Sequence, residues 1–178
     1  MDAIVEAALR KWPNVPHCYG WLALDARGDW YMRDERIQAA GPFPRVKGSR
    51  IDHAKLREFI ARNYAADARG QWYFQNGPQR VYVQLEAAPF VWRIADAPGW
   101  PLTSHNELAA HLAAVWIDDA GRLFLETEIG FGIVHTQDMG LAALAVEAGA
   151  WHPAQMAFAA MPQRFGYALV PHPDADAN

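Results

Sequence analysis

Cysteine is almost absent from this chain. Cys18 is the only one, so there is no internal disulfide and no Cys-x-x-Cys metal site. That usage suits a reducing cytoplasm, the expected location. Serine occurs only at Ser49 and Ser104, and the Gly-x-Ser-x-Gly elbow of the α/β-hydrolases is missing. No apolar run approaches the roughly 18 residues of a membrane span. The longest candidate, Leu141 to Ala150, is short and contains Glu147. The opening Met1-Asp2-Ala3-Ile4-Val5-Glu6 begins with an acid and lacks the basic-then-apolar pattern of a signal peptide. There is no excess of positive charge either. The net charge is -4, and the basic residues are scattered apart from Arg45, Lys47 and Arg50, which read as a solvated loop. Nucleic acid is therefore not the expected partner.

The chain is rich in aromatics, with eight Trp among 178 residues. Indoles bury large areas but keep one polar edge wet or hydrogen-bonded. A chain of this size cannot hide all of them easily, so some are expected to line a groove or an interface. The aromatics also mark a repeated phrase. Asp25-Ala26-Arg27-Gly28-Asp29-Trp30-Tyr31 is echoed by Asp67-Ala68-Arg69-Gly70-Gln71-Trp72-Tyr73, and more weakly by Asp118-Asp119-Ala120-Gly121-Arg122-Leu123-Phe124. Asp suits the first turn position through its bond to the backbone, and Gly takes positive φ where the chain re-enters a ladder. Each copy reads as a hairpin turn.

The spacing predicts a helix over 2–12, stopped by Pro13, then strands at 19–24 and 29–33. Asp52 is the expected N-cap of a helix running to about Tyr64, with Ile51 and Leu56 as its staple. Asn76-Gly77 marks a hairpin joining strands at 71–75 and 80–85. In the second strand Val81, Val83 and Leu85 alternate with Arg80, Tyr82 and Gln84, which predicts one buried and one half-wet face. A third strand follows at 90–94. Ser104 with Glu107 reads as a capping box that opens a short helix to about Leu112. Strands are expected near 115–117, 122–127 and 133–135. Asp138 is expected to cap a helix ending at Gly149, and a strand is expected near 167–170. The tail 171–178 is polar, broken by proline, and expected to be mobile.

These elements make an α+β protein of strand-loop-helix-strand units, used twice, in twisted antiparallel sheets. The expected division is 1–66 for a first subdomain, 67–170 for a second, and 171–178 for the tail. No catalytic group stands out. His17-Cys18 is the nearest thing to a nucleophile pair, but strand neighbours seldom face each other. The seven His show no ligand spacing; His105 and His111 fall on different faces of a helix, and no metal or other cofactor is expected. Glu128-Ile129-Gly130-Phe131-Gly132-Ile133 lacks the P-loop Lys and reads as a hairpin turn or bulge. What is left is an aromatic surface with polar edges, suited to holding a small or apolar ligand. Trp30, Trp72, Tyr73, Arg80, Tyr82 and Trp92 are the candidate binding residues, placed at a seam between the duplicated halves.

The run Asp67 to Val83, with Glu86-Ala87-Ala88-Pro89-Phe90-Val91, Gly28-Asp29-Trp30-Tyr31 and Lys55-Leu56-Arg57-Glu58-Phe59, resembles a proteobacterial family of domain-of-unknown-function proteins. The resemblance implies a duplicated protein with a pleckstrin-homology-like C-terminal half. It also implies ligand binding between the halves, in signalling, without enzyme activity. Gly77-Pro78-Gln79 and the single acid of Glu86-Ala87-Ala88 depart from that family's pattern near the supposed seam. The leading reading is thus a non-enzymatic binding or signalling accessory module. Two others stand beside it. One is a hydrolase or transferase with a site assembled from His17, Cys18, Asp118 and His135; the other is a homodimer built on exposed Trp.

Overall fold

The computed structural model describes residues 1–173. They fall into two compact units. The first holds residues 1–25, 29–86 and 167–173; the second holds 26–28 and 87–166.

The first unit opens with α1 (Ala3–Lys11), which buries Val5 and ends on Arg10 and Lys11, cations that suit the carbonyl end of the helix dipole. Strands β1 (Cys18–Leu24) and β2 (Trp30–Met32) follow, then α2 (Glu35–Ala40), whose first turn is capped by the Asp34 carboxylate. After β3 (Ser49–Arg50) comes α3 (Ala54–Arg62). Its cap is His53, whose Nδ1 accepts from the Leu56 N–H at 3.3 Å. The expected cap, Asp52, instead meets Arg50 Nε at 2.8 Å. Strands β4 (Tyr64–Ala66), β5 (Trp72–Asn76) and β6 (Gln79–Leu85) complete a six-stranded sheet in the order β3-β2-β1-β6-β5-β4. The expected boundary at residue 66 therefore cuts this sheet, because β4 pairs with β5. Asn76-Gly77 does make a hairpin: Asn76 pairs with Gln79, and Gly77 takes φ +57°.

The second unit contains β7 (Phe90–Ile94), β8 (Leu102–Ser104), β9 (Ala109–Ala110), β10 (Leu112–Ile117), β11 (Leu123–Thr127), β12 (Gly130–Val134), α4 (Met139–Glu147), β13 (Ala154–Gln155) and α5 (Met161–Phe165). The sheet order is β13-β10-β11-β12-β7-β8-β9. Only His111 separates β9 from β10, yet apart from the short β13 they lie at opposite margins of the sheet. One bent strand therefore serves both margins, so this sheet curls around.

Setting β13 aside, the two sheets have the same strand order. Each consists of two three-stranded meanders, and the last strand of the second meander lies parallel to the first strand of the first, β6 beside β1 and β12 beside β7. The expectation of antiparallel sheets is corrected here. Meanders make antiparallel neighbours by themselves, whereas joining two of them depends on how the chain crosses between. The sheets are mixed for that reason.

Three further expectations change. The 104–112 helix is absent: Ser104 Oγ accepts from the N–H groups of Asn106 and Leu108, both at 3.2 Å, and so caps a tight β8–β9 turn in which Glu107 has φ +62°. Residues 167–170 form no strand, although Ala168 N–H donates to Gly70 O and Leu169 O accepts from Leu85 N–H. Of the tail expected to be mobile, residues 174–178 lie outside the described residues, while His172 is tied by its backbone to Gln71 and Arg69.

Candidate functional site

The three repeated phrases make one turn. In each, the N–H of the Asp donates to the carbonyl four residues on, as in Asp25 to Asp29, Asp67 to Gln71 and Asp118 to Arg122, and one carboxylate oxygen accepts the returning N–H. The glycines take φ +83°, +71° and +75°. An L-residue is strained there, so glycine is favoured. The hairpin β7–β8 carries a fourth, unnoticed Asp-x-x-Gly at Asp96 to Gly99, in a wider loop closed by Ala95 N–H to Pro101 O.

The second oxygen of each carboxylate is spent differently. Asp118 Oδ2 takes Arg122 Nε at 2.7 Å. Asp25 Oδ2 takes the Tyr31 hydroxyl at 3.2 Å and Lys47 Nζ at 2.7 Å, and Lys47 also reaches Glu86 at 3.4 Å. Burial opposes the Lys47 charge, but Asp25 and Glu86 outweigh it and hold its pKa above the ordinary value. Lys47 thus belongs to an ion cluster and not to a solvated loop. Asp67 Oδ2 takes the Tyr82 hydroxyl at 3.1 Å. Burial raises the Asp67 pKa, and the Gln71 and Arg69 N–H groups, with Tyr82 and Arg69, more than reverse that.

Tyr82 is the hub of a cluster on one face of the first sheet. Tyr19 stacks on it at 4.5 Å and 7°, while Tyr73 and His17 meet it edge-on at 5.7 and 5.9 Å. Arg80 lies 4.4 Å over Tyr73. Burial works against the Arg80 charge, but its hydrogen bond to Tyr82 and the nearby Tyr73, Tyr82 and Asp67 raise its pKa overall. The register carries this face on. Tyr73 pairs with Tyr82, Gln75 with Arg80, Gln84 with Ala23, and Ala23 with Tyr31. The opposite face is apolar: Leu22, Leu24, Val83, Leu85 and Phe74 lie with Ile60 of α3, and Phe59 meets Phe74 edge-on at 5.4 Å.

The alternation in β6 is therefore right, but the polar face is covered too. Tyr82 is 3% exposed and Gln75 1%. Of the six candidate residues, Tyr73, Arg80 and Tyr82 come together on this polar aromatic face. Trp30 and Trp72 flank Tyr64 at 5.3 and 4.6 Å, a separate cluster. Trp92 is a fully buried residue of the second unit, stacked on Phe90 at 5.4 Å.

Arg33, which the sequence reading passed over, lies at the end of β2 on the polar face, opposite Trp21. It is 2% exposed. Its Nη1 donates to Gln84 Oε1, its Nη2 donates to the Gly41 carbonyl at 2.7 Å, and its Nε is buried without a partner among the described residues. Burial lowers its pKa below the ordinary value. A polar residue ending a strand that pairs with an apolar one gives no local sign of such burial.

The residues of the enzyme reading have other work. Asp118 is taken up by its turn, and His135 Nδ1 accepts from the Gln137 N–H at 3.1 Å. His17 and Cys18 are on the first unit, Asp118 and His135 on the second. Among the described residues no group of three or more His, Cys, Asp or Glu could hold a metal ion, and no helix is long and apolar enough to cross a membrane. The second unit has an open hollow of about 440 Å³ beside Glu126, Phe131, Arg164 and Phe165, where Phe131 and Phe165 stack at 3.8 Å. No sequence signal marked it.

Residues 1–172 match the model of the DUF2944 family, described as "Protein of unknown function (DUF2946)". No curated protein matches the chain. Two solved structures are similar to it. A DUF1285 family protein from Silicibacter pomeroyi DSS-3 has 13% identity and a TM-score of 0.50, covering 80% of this chain and 83% of its own. One from Shewanella baltica OS155 has 16% identity and a TM-score of 0.46, covering 70% and 91%. The first likeness is one of fold alone. The resemblance read from the sequence is right at the level of a family of unknown function.

Proposed function

The chain belongs to the DUF2944 family, and from that premise we propose that it is a non-enzymatic ligand-binding or signalling accessory module. Its recognition surface is the polar aromatic face of the first sheet. The observation that carries this reading is Arg80. This half-buried guanidinium lies 4.4 Å over Tyr73, has Tyr82 beside it, and makes no ion pair among the described residues, with Asp67 acting on it only from farther off. A cation on an aromatic floor suits a planar ligand with a negatively charged or carbonyl edge.

Tryptophan fluorescence and thermal stability, followed against a metabolite library, test the reading. At least one compound stabilises the wild type, and Arg80→Gln or Tyr73→Leu removes that response while the fold persists. Hits that are indifferent to both substitutions move the site elsewhere.

The common strand order of the two sheets, with the Asp-x-x-Gly hairpins, supports a duplicated origin. Seven strands and a helix after β12 support a pleckstrin-homology-like second unit, although the parallel β7–β12 pair departs from that pattern. The homodimer reading draws its support from Trp12 and Trp21, 51% and 39% exposed. Concentration-dependent light scattering tests it, and a monomer at every concentration removes it.

A further inference from the structure

We propose that Arg33 is a receptor for an oxyanion, and that the Gly41–Gly48 loop is its cover. This goes beyond the reading built on Arg80 and stands separately from it.

The argument begins with the guanidinium edge formed by Nε and Nη2, the fork that matches two oxygens of a carboxylate or phosphate. Arg93 shows that fork filled: its Nε and Nη2 bind the two oxygens of Asp138 at 2.6 and 3.0 Å. In Arg33 the same fork is half filled. Nη2 holds one neutral oxygen, the Gly41 carbonyl, and Nε holds nothing among the described residues. The remaining partner, Gln84, is also neutral. A guanidinium buried without a counter-charge is costly, and here the one missing partner is a second oxygen carrying negative charge. The Gly41 carbonyl occupies the place of the first.

The loop that supplies this carbonyl is built to leave as a piece. Gly41 and Gly48 bracket it with φ +151° and +101°. Val46 N–H donates to Pro42 O, so the loop carries its own turn. Phe43 lies 5.8 Å from the guanidinium. The loop is pinned at its far end by Lys47, through Asp25 and Glu86. Opening it trades the Gly41 carbonyl for an oxyanion on both donors and leaves Gln84 in place.

The test uses the full chain, with sodium acetate and sodium phosphate as probes at constant ionic strength against sodium chloride. Thermal midpoint and tryptophan fluorescence are followed. In the wild type at least one probe gives a saturable rise in midpoint beyond the chloride control, and the arm that responds tells carboxylate from phosphate. Arg33→Gln abolishes the rise. Arg33→Met, which replaces the unpaired charge with an apolar chain and is expected to fold, abolishes it too. Lys47→Met frees the cover and lowers the half-saturating concentration at least threefold. A wild type that answers no probe beyond chloride, or an Arg33→Met protein that answers as the wild type does, overturns the receptor. An unchanged half-saturation in Lys47→Met overturns the cover.

Discussion

Asp67→Ala is the substitution on which the structural reasoning is most exposed. Asp67 Oδ1 accepts from the Arg69 and Gln71 N–H groups, both at 2.9 Å, and Oδ2 accepts from the Tyr82 hydroxyl at 3.1 Å. Arg69 is exposed, so water replaces its bond. Gln71 and Tyr82 are 4% and 3% exposed, and each is left with a buried, unpaired donor. Such a group costs about 1–3 kcal/mol, so Asp67→Ala should cost about 2–4 kcal/mol after the relief of desolvating the carboxylate. Asp67→Asn keeps an acceptor for the turn and should cost about 1 kcal/mol. Tyr82→Phe alone should cost about 1 kcal/mol, and combined with Asp67→Ala it should cost less than the sum, because the two share one bond.

Urea unfolding followed by tryptophan fluorescence measures all four proteins. The acid limb gives a further check. The folded pKa of Asp67 is lowered, so its stabilisation is present above the unfolded carboxylate pKa and is lost as pH falls through the folded one. Asp67→Asn lacks that component and should lose less stability below about pH 4. If Asp67→Ala costs under about half a kcal/mol, or is additive with Tyr82→Phe, the account of this turn as the anchor of the tyrosine cluster is wrong.

Other outcomes follow from single observations. Burial lowers the His105 pKa to about 3. The unfolded chain therefore binds a proton that the folded one refuses, and stability should fall from about pH 6.5 downward toward pH 3. His105→Gln should flatten that slope in pH-dependent urea titrations. A Cβ at Gly132 would meet the Phe90 carbonyl at 2.6 Å and the Trp92 indole, so Gly132→Ala should cost about 2–4 kcal/mol by overpacking. Gly121 has open space but φ +75°, so Gly121→Ala should cost only about 1 kcal/mol of backbone strain; equal midpoints for these two in thermal melts would contradict both assignments. Asp138 accepts from Arg93 and from the buried Ile94 N–H at 3.0 Å, so Asp138→Ala should cost about 3 kcal/mol, and Arg93→Met less, since Arg93 is half exposed. Chemical denaturation ranks the two, and the reverse order would place the cost on the wrong partner.

What the sequence by itself determined lies within a few residues of each signal. The Asp-x-x-Gly turns rest on a side chain bonded to its own backbone, the Asn76-Gly77 hairpin on a glycine at positive φ, and the first helix on the spacing of its own apolar residues, and they formed as read. Ser104 shows the limit of such signals. A hydroxyl that accepts nearby N–H groups serves a helix start and a tight strand turn equally well, and the pairing of β8 with β9 chose the turn. Tertiary structure alone decided the strand order, the parallel joins of β1 with β6 and β12 with β7, and the covering of the polar face. It alone brought Tyr73, Arg80 and Tyr82 together and left Trp92 in the core of the other unit. It alone sealed Arg33 under the Gly41–Gly48 loop. Each of these depends on which distant segment arrives to pair or to cover, and a segment's own residues do not encode the neighbour it will meet.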